Sequence, residues 1–307
     1  MKHLLFLSIS VFSFFLHASL PDDCVTKERF PDADSVLLDD EEKVFYNTDG
    51  TYDREVFVRT KILTEVGKKK ESTQTINYSL RYGSANFEEI VVQKQDGRKI
   101  KVDLKNLVKD STDNSSKSAN VVDPLDRKIV CRVPGLEIGD IISVKIRRKN
   151  TKSRIENRFA DVFVFETTSP VLRSRYELSS PKSMPIVKSV LRNEKSKVHR
   201  TVVEKDDRTV QIFTATNTPQ MFPEPSMPEM WKEAQHLIVS TVGSWKEFSE
   251  WYWKLSSPHI EKTTAAMTNL VDELITPEAI FKFVSQDIRY MGLTMEDTSP
   301  GYAPHDV

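Results

Sequence analysis

The side chains able to do chemistry are few and scattered. The chain carries two cysteines, Cys24 and Cys131, and six histidines, at 3, 17, 199, 236, 259 and 305. A cysteine nucleophile needs a base to hold it as thiolate and donors to receive the developing oxyanion. Cys131 stands in Lys128-Ile129-Val130-Cys131-Arg132-Val133, the alternation of an ordinary strand, where a lone thiol is a small packed hydrophobe. Two cysteines cannot build a four-cysteine zinc site or a disulfide scaffold, and whether Cys24 and Cys131 form the one possible bridge stays open. His305 and Asp306 are neighbours, which reads as a loop-stabilising pair rather than a general base and its partner. Phosphate-binding Gly-x-x-x-x-Gly-Lys loops, Gly-x-Ser-x-Gly elbows and His-Glu-x-x-His pairs are absent from the sequence. Acidic pairs are too numerous to single out a glycosidase couple. The residues alone therefore nominate no catalytic, cofactor-binding or metal-ligating side chain, and no cofactor.

All four tryptophans, 231, 245, 251 and 253, fall in one short stretch. Aromatic planes can stack on sugars or on a partner, but Trp245 and Trp251 share a helical face with Phe248, the pattern of a buried interdomain core. Charge narrows the partners. Forty-four basic residues nearly cancel 45 acidic ones, so the chain lacks the basic excess of a general nucleic-acid binder. The triplets Lys68-Lys69-Lys70 and Arg147-Arg148-Lys149 read as solvated turns or strand ends. A peptide, cell-wall or protein partner remains open, as does the oligomeric state.

The elements that must position these residues begin after a leader. Lys2 precedes the uncharged run Leu4 to Leu16, whose helix would rise about 20 Å against a hydrocarbon core of about 30 Å. Ala18 offers a cleavage point, so residues 1–18 read as a signal peptide, with the mature chain starting near Ser19 or Leu20. Pro21-Asp22-Asp23 before Cys24 argue against lipidation. The expectation is an exported, periplasmic or extracellular protein with no membrane span after cleavage.

Residues 19–218 read as a β-rich domain. Thr51 to Thr64 alternates, with Val56, Val58 and Ile62 on one face and Arg59 and Lys61 on the other. Similar runs occur at Thr75–Arg81, Glu89–Gln93, Lys99–Val102, Lys128–Val133, Ile141–Arg147, Asp161–Phe165, Val171–Leu178, Ile186–Leu191, Lys197–Val203 and Thr209–Thr214. Turn chemistry at Asp49-Gly50, Asp96-Gly97, Gly139-Asp140 and Asp206-Asp207 separates them. This spacing predicts an antiparallel sandwich or barrel, with a mobile polar loop over Lys109 to Asn120. Prolines 219, 223, 225 and 228 mark residues 219–243 as an extended connector. From 244 the period becomes 3.6. Ser244 and Glu247 form a capping box, and Thr276-Pro277 opens a second helix.

The segments Asp34-Ser35-Val36-Leu37-Leu38-Asp39, Gly139-Asp140-Ile141, Pro170-Val171-Leu172-Arg173-Ser174-Arg175, Glu224-Pro225-Ser226-Met227-Pro228 and Ser240-Thr241-Val242-Gly243-Ser244-Trp245 together resemble the bacterial domain of unknown function 3857. The tail, Phe283 to Leu293 and then Gly301-Tyr302-Ala303-Pro304-His305-Asp306, is similar to the opening of the transglutaminase-like domain that accompanies that family. The resemblance implies a mainly β N-terminal domain followed, over 244–307, by the helical beginning of an incomplete papain-like α+β domain. In the family the nucleophilic cysteine follows the proline-histidine segment in a Gly-Asp-Cys context, with histidine and aspartate further on. The chain stops at Val307 before all three, so no catalytic residue carries over. Two classes follow: the front part of a cysteine-dependent amide-bond enzyme, or a stand-alone binding module.

Overall fold

A computed structural model describes residues 21–113 and 123–288. The leader run and the segment after 288 lie outside the described residues, as does most of the 109–120 loop. The first strand, β1 (Ser35–Tyr46), turns at Asp49-Gly50 into β2 (Tyr52–Ile62). A short helix α1 (Glu65–Glu71) then leads to β3 (Thr73–Ser79), β4 (Gly83–Gln93), β5 (Lys99–Lys101), helix α2 (Leu104–Leu107), β6 (Val108–Thr112) and β7 (Asp126–Arg132). Strands β8 (Ile141–Asn150), β9 (Ala160–Val164), β10 (Val171–Pro181), β11 (Lys188–Arg192), β12 (His199–Lys205) and β13 (Arg208–Thr218) follow. Helix α3 (Met230–Glu233) and β14 (His236–Ser240) precede three more helices, α4 (Trp245–Ile260), α5 (Ala265–Glu273) and α6 (Pro277–Lys282).

Eight strands make one open sheet in the order β12-β13-β10-β1-β2-β8-β4-β5. Every pairing in it is antiparallel except the central β1–β10 pair, which is parallel. Two three-stranded sheets, β3-β7-β6 and β11-β14-β9, complete the set. The expected antiparallel sandwich is thus a long open sheet with two smaller ones, and the barrel alternative does not hold: β12 and β5 remain free ends of the sheet order.

The period of two decides where the cores form. Ile62, Ile90, Val92, Ile142 and Val144 of the large sheet pack with Ile76, Ile129 and Cys131 of β3 and β7. Val44, Tyr46, Tyr176, Leu178 and Phe213 pack with Phe163, Leu237 and Val239 of β9 and β14. Burying each such side chain contributes about 1.5–3 kcal/mol. The ladders β1–β2–β8 run in continuous register from Asp39 onward, and through them Val44 pairs with Arg54 while Thr60 pairs with Ile142. Both cores therefore lie on the same face of the large sheet. A register shift between Leu37 and Asp39 turns β1 over, so Val36 packs instead with Val25, Ala33 and Ile141 on the opposite face.

Two sequence readings need correction. Residues 109–112, read as the start of a mobile polar loop, belong to β6 (Val108–Thr112), which pairs with β7. Residues 219–243, read as an extended connector, are anchored to the β-strands: Met221 N donates to Thr167 O at 2.8 Å, and β14 pairs with both β9 and β11. The prolines stop at 228, which frees His236–Ser240 to join a ladder. Arg147-Arg148-Lys149 form the end of β8, which runs to Asn150, in keeping with the strand-end reading; Arg147 and Lys149 are exposed and Arg148 is half-buried. The helix starts hold as read. Ser244 Oγ accepts from Glu247 N at 3.2 Å, Glu247 Oε2 accepts from Gly243 N at 3.0 Å, and Thr276 Oγ1 accepts from Ala279 N at 3.2 Å. Arg158 also pairs with Glu247 at 2.7 Å, tying α4 to the β-strands.

The Gly139-Asp140-Ile141 segment is a structural corner. Gly139 sits at φ +89°, a backbone conformation that favours glycine; a Cβ there would also displace the end of the exposed Gln95 side chain, 2.6 Å away. Asp140 is fully buried; its Oδ2 receives Lys94 Nζ at 2.7 Å and Glu137 N at 2.8 Å. Removing one member of such a pair leaves the other without its charge partner. Asp140→Ala is expected to lower unfolding stability by about 2–4 kcal/mol in urea titrations, whereas an exposed control such as Asp96→Ala should change it little.

Candidate functional site

Strand β1 carries four consecutive carboxylates, Asp39-Asp40-Glu41-Glu42, at the middle of the large sheet. A strand sends them alternately to the two faces. On one face Asp39, buried, accepts from Arg59 Nη1 at 2.8 Å and from Arg173 Nε at 2.6 Å. Asp22 closes onto Arg59 from the N-terminal segment. Glu41, in register with Arg175, is pushed up by burial and by Asp39, and drawn back by Arg175. The motif Pro170 to Arg175 thus supplies β1 with two of its counter-charges.

On the other face, between the two cores, lie Asp40, Glu42, Arg54, Asp161, Ser174 and Tyr176. Arg54 bridges Glu42 (Nη1–Oε2 2.8 Å) and Asp161 (Nη2–Oδ2 2.6 Å), and Tyr176 Oη donates to Asp161 Oδ2 at 2.7 Å. Burial works against the Arg54 charge, but Asp161 and Glu42 hold it protonated. Burial raises Glu42 against the pull of Arg54, and drives the Tyr176 phenol far up. Arg148 of β8 is drawn down by burial and by Arg54; its Nη1 donates to Asn77 O at 2.9 Å.

Asp40 is different. No ion pair to it forms among the described residues, and burial, then Glu42 and Glu41, push its carboxyl up to about 7. Ser174, its register partner on β10, is 2 % exposed, and its hydroxyl has no hydrogen-bond partner among the described residues. The structure therefore brings together a proton-titrating carboxyl and an orphan hydroxyl on one sheet face. Sequence reading missed both; the signal was an acidic run flanked by Val36-Leu37-Leu38 and Val44-Phe45-Tyr46.

The residues singled out from the sequence do not converge. Cys131 is fully buried in the first core, where burial raises its thiol, and Cys24 is exposed; both are free. His236 is buried in β14 with Nδ1 2.8 Å from Ala234 O, a position within a ladder. Trp245, expected in a core, is 85 % exposed, and Trp231 and Trp253 are also exposed. Helical periodicity placed Trp245 with Phe248 correctly, at 6.0 Å between centroids, but the face they share points outward. No group of three or more metal-ligating side chains occurs among the described residues, and no described helix is long and apolar enough to cross a membrane. A groove of about 450 Å³ opens beside the β12–β13 turn, lined by Lys43, Phe45, Asp53, Glu177 and Arg208. The Arg208 guanidinium lies 3.5 Å from the Phe45 ring centroid; its Nη2 donates to Tyr46 O and Ser179 O and its Nε to Ser179 Oγ, which holds the groove's wall.

Two outcomes test this description. Iodoacetamide is expected to label Cys24 in the native chain and Cys131 only after denaturation; fast native labelling of Cys131 would contradict its burial. For Asp40, folding raises the carboxyl from its ordinary value of 3.8. The folded chain then holds that proton more tightly than the unfolded chain. The stability tied to this proton is full below pH 4, is lost between pH 4 and 7, and stays lost above 7. Asp40→Asn removes that loss, so it should melt roughly 5 °C above the parent at pH 8 and level with it at pH 4 in scanning calorimetry.

Known proteins fit this architecture at the level of fold. A crystal structure from Parabacteroides distasonis, described as a provisionally assigned protease, superimposes with a TM-score of 0.71 at 15 % identity, over 89 % of this chain and 54 % of that one. The chain thus spans about half the length of that protein. An M1 zinc metallopeptidase from Deinococcus radiodurans (TM-score 0.33, 9 % identity, 66 % of this chain and 42 % of that one) is more distant. So is a CBM3a-L domain from the Clostridium thermocellum scaffoldin cipA (TM-score 0.25, 13 %, 39 % and 69 %). No curated protein matches the sequence. The family model described as a domain of unknown function with a solved structure, DUF3857, matches residues 48–222, from the β1–β2 turn past β13, and the chain accordingly belongs to the DUF3857 family.

Proposed function

We propose that the chain is exported and that its β-module positions a peptide or cell-wall substrate, or a protein partner. The amide-bond chemistry would belong to a cysteine-dependent, transglutaminase-like domain that begins near Ser244. The observation that carries this reading is the 0.71 fold similarity to a provisionally assigned protease over 89 % of the chain, a share that the β-strands alone cannot supply. The sequence likeness of Phe283–Leu293 and Gly301–Asp306 to the start of a transglutaminase-like domain supports it. The buried, unactivated Cys131 agrees with a β-module that binds and does not itself react.

The decisive experiment reads and expresses the coding sequence past codon 307. A Gly-Asp-Cys segment is expected shortly after Asp306, with histidine and aspartate further on. The longer product should hydrolyse or transamidate peptide amides, and replacing that cysteine by alanine should abolish turnover. Removing residues 21–243 should raise KM more than it lowers kcat, since uniform binding is what a positioning module contributes. Absence of the downstream cysteine, or turnover that survives its replacement, would overturn the enzymatic reading.

A further inference from the structure

We propose that Asp40 and Ser174 form a binding site for a primary alkylammonium group. Both side chains project from neighbouring strands to the same face of the large sheet: Asp40 pairs with Ser174, two positions before the Glu42–Tyr176 pair. Asp40 is half-buried with no ion pair among the described residues, and the Ser174 hydroxyl is buried with no hydrogen-bond partner among them. A buried polar atom left unmatched is unfavourable by about 1–3 kcal/mol, so the Ser174 hydroxyl is open to a partner that can also reach the Asp40 carboxylate.

Charge decides the kind of donor. Glu42 and Glu41 of its own strand are the charges that act on Asp40; Arg54 on β2, Arg148 on β8, Asp161 on β9 and Tyr176 on β10 lie further along the same face. Arg54 is taken by Glu42 and Asp161, and Arg148 donates to a backbone carbonyl. With Arg54 and Arg148 so engaged, no cation among the described residues pairs with Asp40, and its carboxylate is left unbalanced once it ionises above about pH 7. A single positive charge balances it. The described residues hold no cluster suited to a metal ion, and an ammonium offers three N–H donors where Asp40 and Ser174 offer acceptors. Next to Asp40 and Glu42 across the β1–β2 ladder lie Val58 and Val56, both half-buried. They give an apolar floor along which an alkyl stem can lie while its charged head reaches the carboxylate.

This inference stands apart from the proposed amide chemistry, because it concerns equilibrium binding by the chain as it is. Amide-resonance titrations by NMR with n-pentylammonium, the peptide acetyl-Ala-Ala-Lys-Ala-Ala-amide and its norleucine counterpart provide the test. Saturable shifts centred on Asp40, Val58 and Ser174 are expected with the first two probes and not with the third. Shifts from pentylammonium alone would assign the site to small amines, and shifts from both would extend it to lysine side chains. Asp40→Asn should weaken binding about tenfold or more, and Ser174→Ala by a smaller factor. Affinity should fall about tenfold for each pH unit below 7 as Asp40 takes up its proton. Far-ultraviolet circular dichroism verifies that both variants are folded, and the pH profile of the parent needs no variant. Equal shifts from tetramethylammonium, which has no N–H donor, would overturn the proposal, as would equal binding of the norleucine peptide or a flat pH profile.

Discussion

Four adjacent carboxylates on a strand with neighbours on both sides are the constraint to which the rest of this fold answers. A central strand cannot leave its charges in bulk water, and burying an unpaired carboxylate is among the costliest things a protein can do. Asp39 is met by Arg59 and Arg173, and Glu42 by Arg54. Those arginines come from the two strands that flank β1, so the same side chains that neutralise it also fix which strands lie beside it and in what register. A one-residue slip of β10 would send Arg173 to the wrong face and leave Asp39 unpaired. The acidic run is thus a specification of topology as much as a charge to be offset.

The strands with clean alternation, from β2 through β13 apart from β6, were legible because a half-buried strand writes its period into the sequence. So were the turns: Gly50, Gly97 and Gly139 all occupy positive φ, and Asp206 does as well. β1 was not legible, because Asp39 to Glu42 interrupts the apolar pattern and reads as a solvated stretch until the arginines on β2 and β10 are placed beside it. β14 was hidden for a different reason. Prolines at 219–228 set an extended expectation, and nothing local reveals that His236–Ser240 has two partners waiting at β9 and β11. Helix starts at Ser244 and Thr276 were legible from local capping chemistry, but the direction of the Trp245 face was not, since periodicity identifies a face and not what it meets.

The candidate site was invisible for the same reason as β1. Asp40 and Ser174 are far apart in sequence, and neither belongs to a motif of reactive residues. Ser174 stands between Arg173 and Arg175 in a segment whose likeness to the family was noticed, yet only the sheet shows the division of labour: Arg173 and Arg175 serve one face and Ser174 the other. The reactive-looking residues, Cys131 above all, turned out to be packing.

The parallel β1–β10 pair has a consequence for the order of assembly. The core made by β2 to β8 lies within one stretch of chain, although its closing pairings, such as Lys61 with Ile141 and Thr73 with Arg132, already span long loops. The second core needs β1, whose Asp39 meets an arginine 134 positions later. Contacts of that separation carry a large loop-closure entropy and form late. The amino-terminal strand is therefore a clasp: threaded first, it locks last, when β10 arrives to close the seam between the halves.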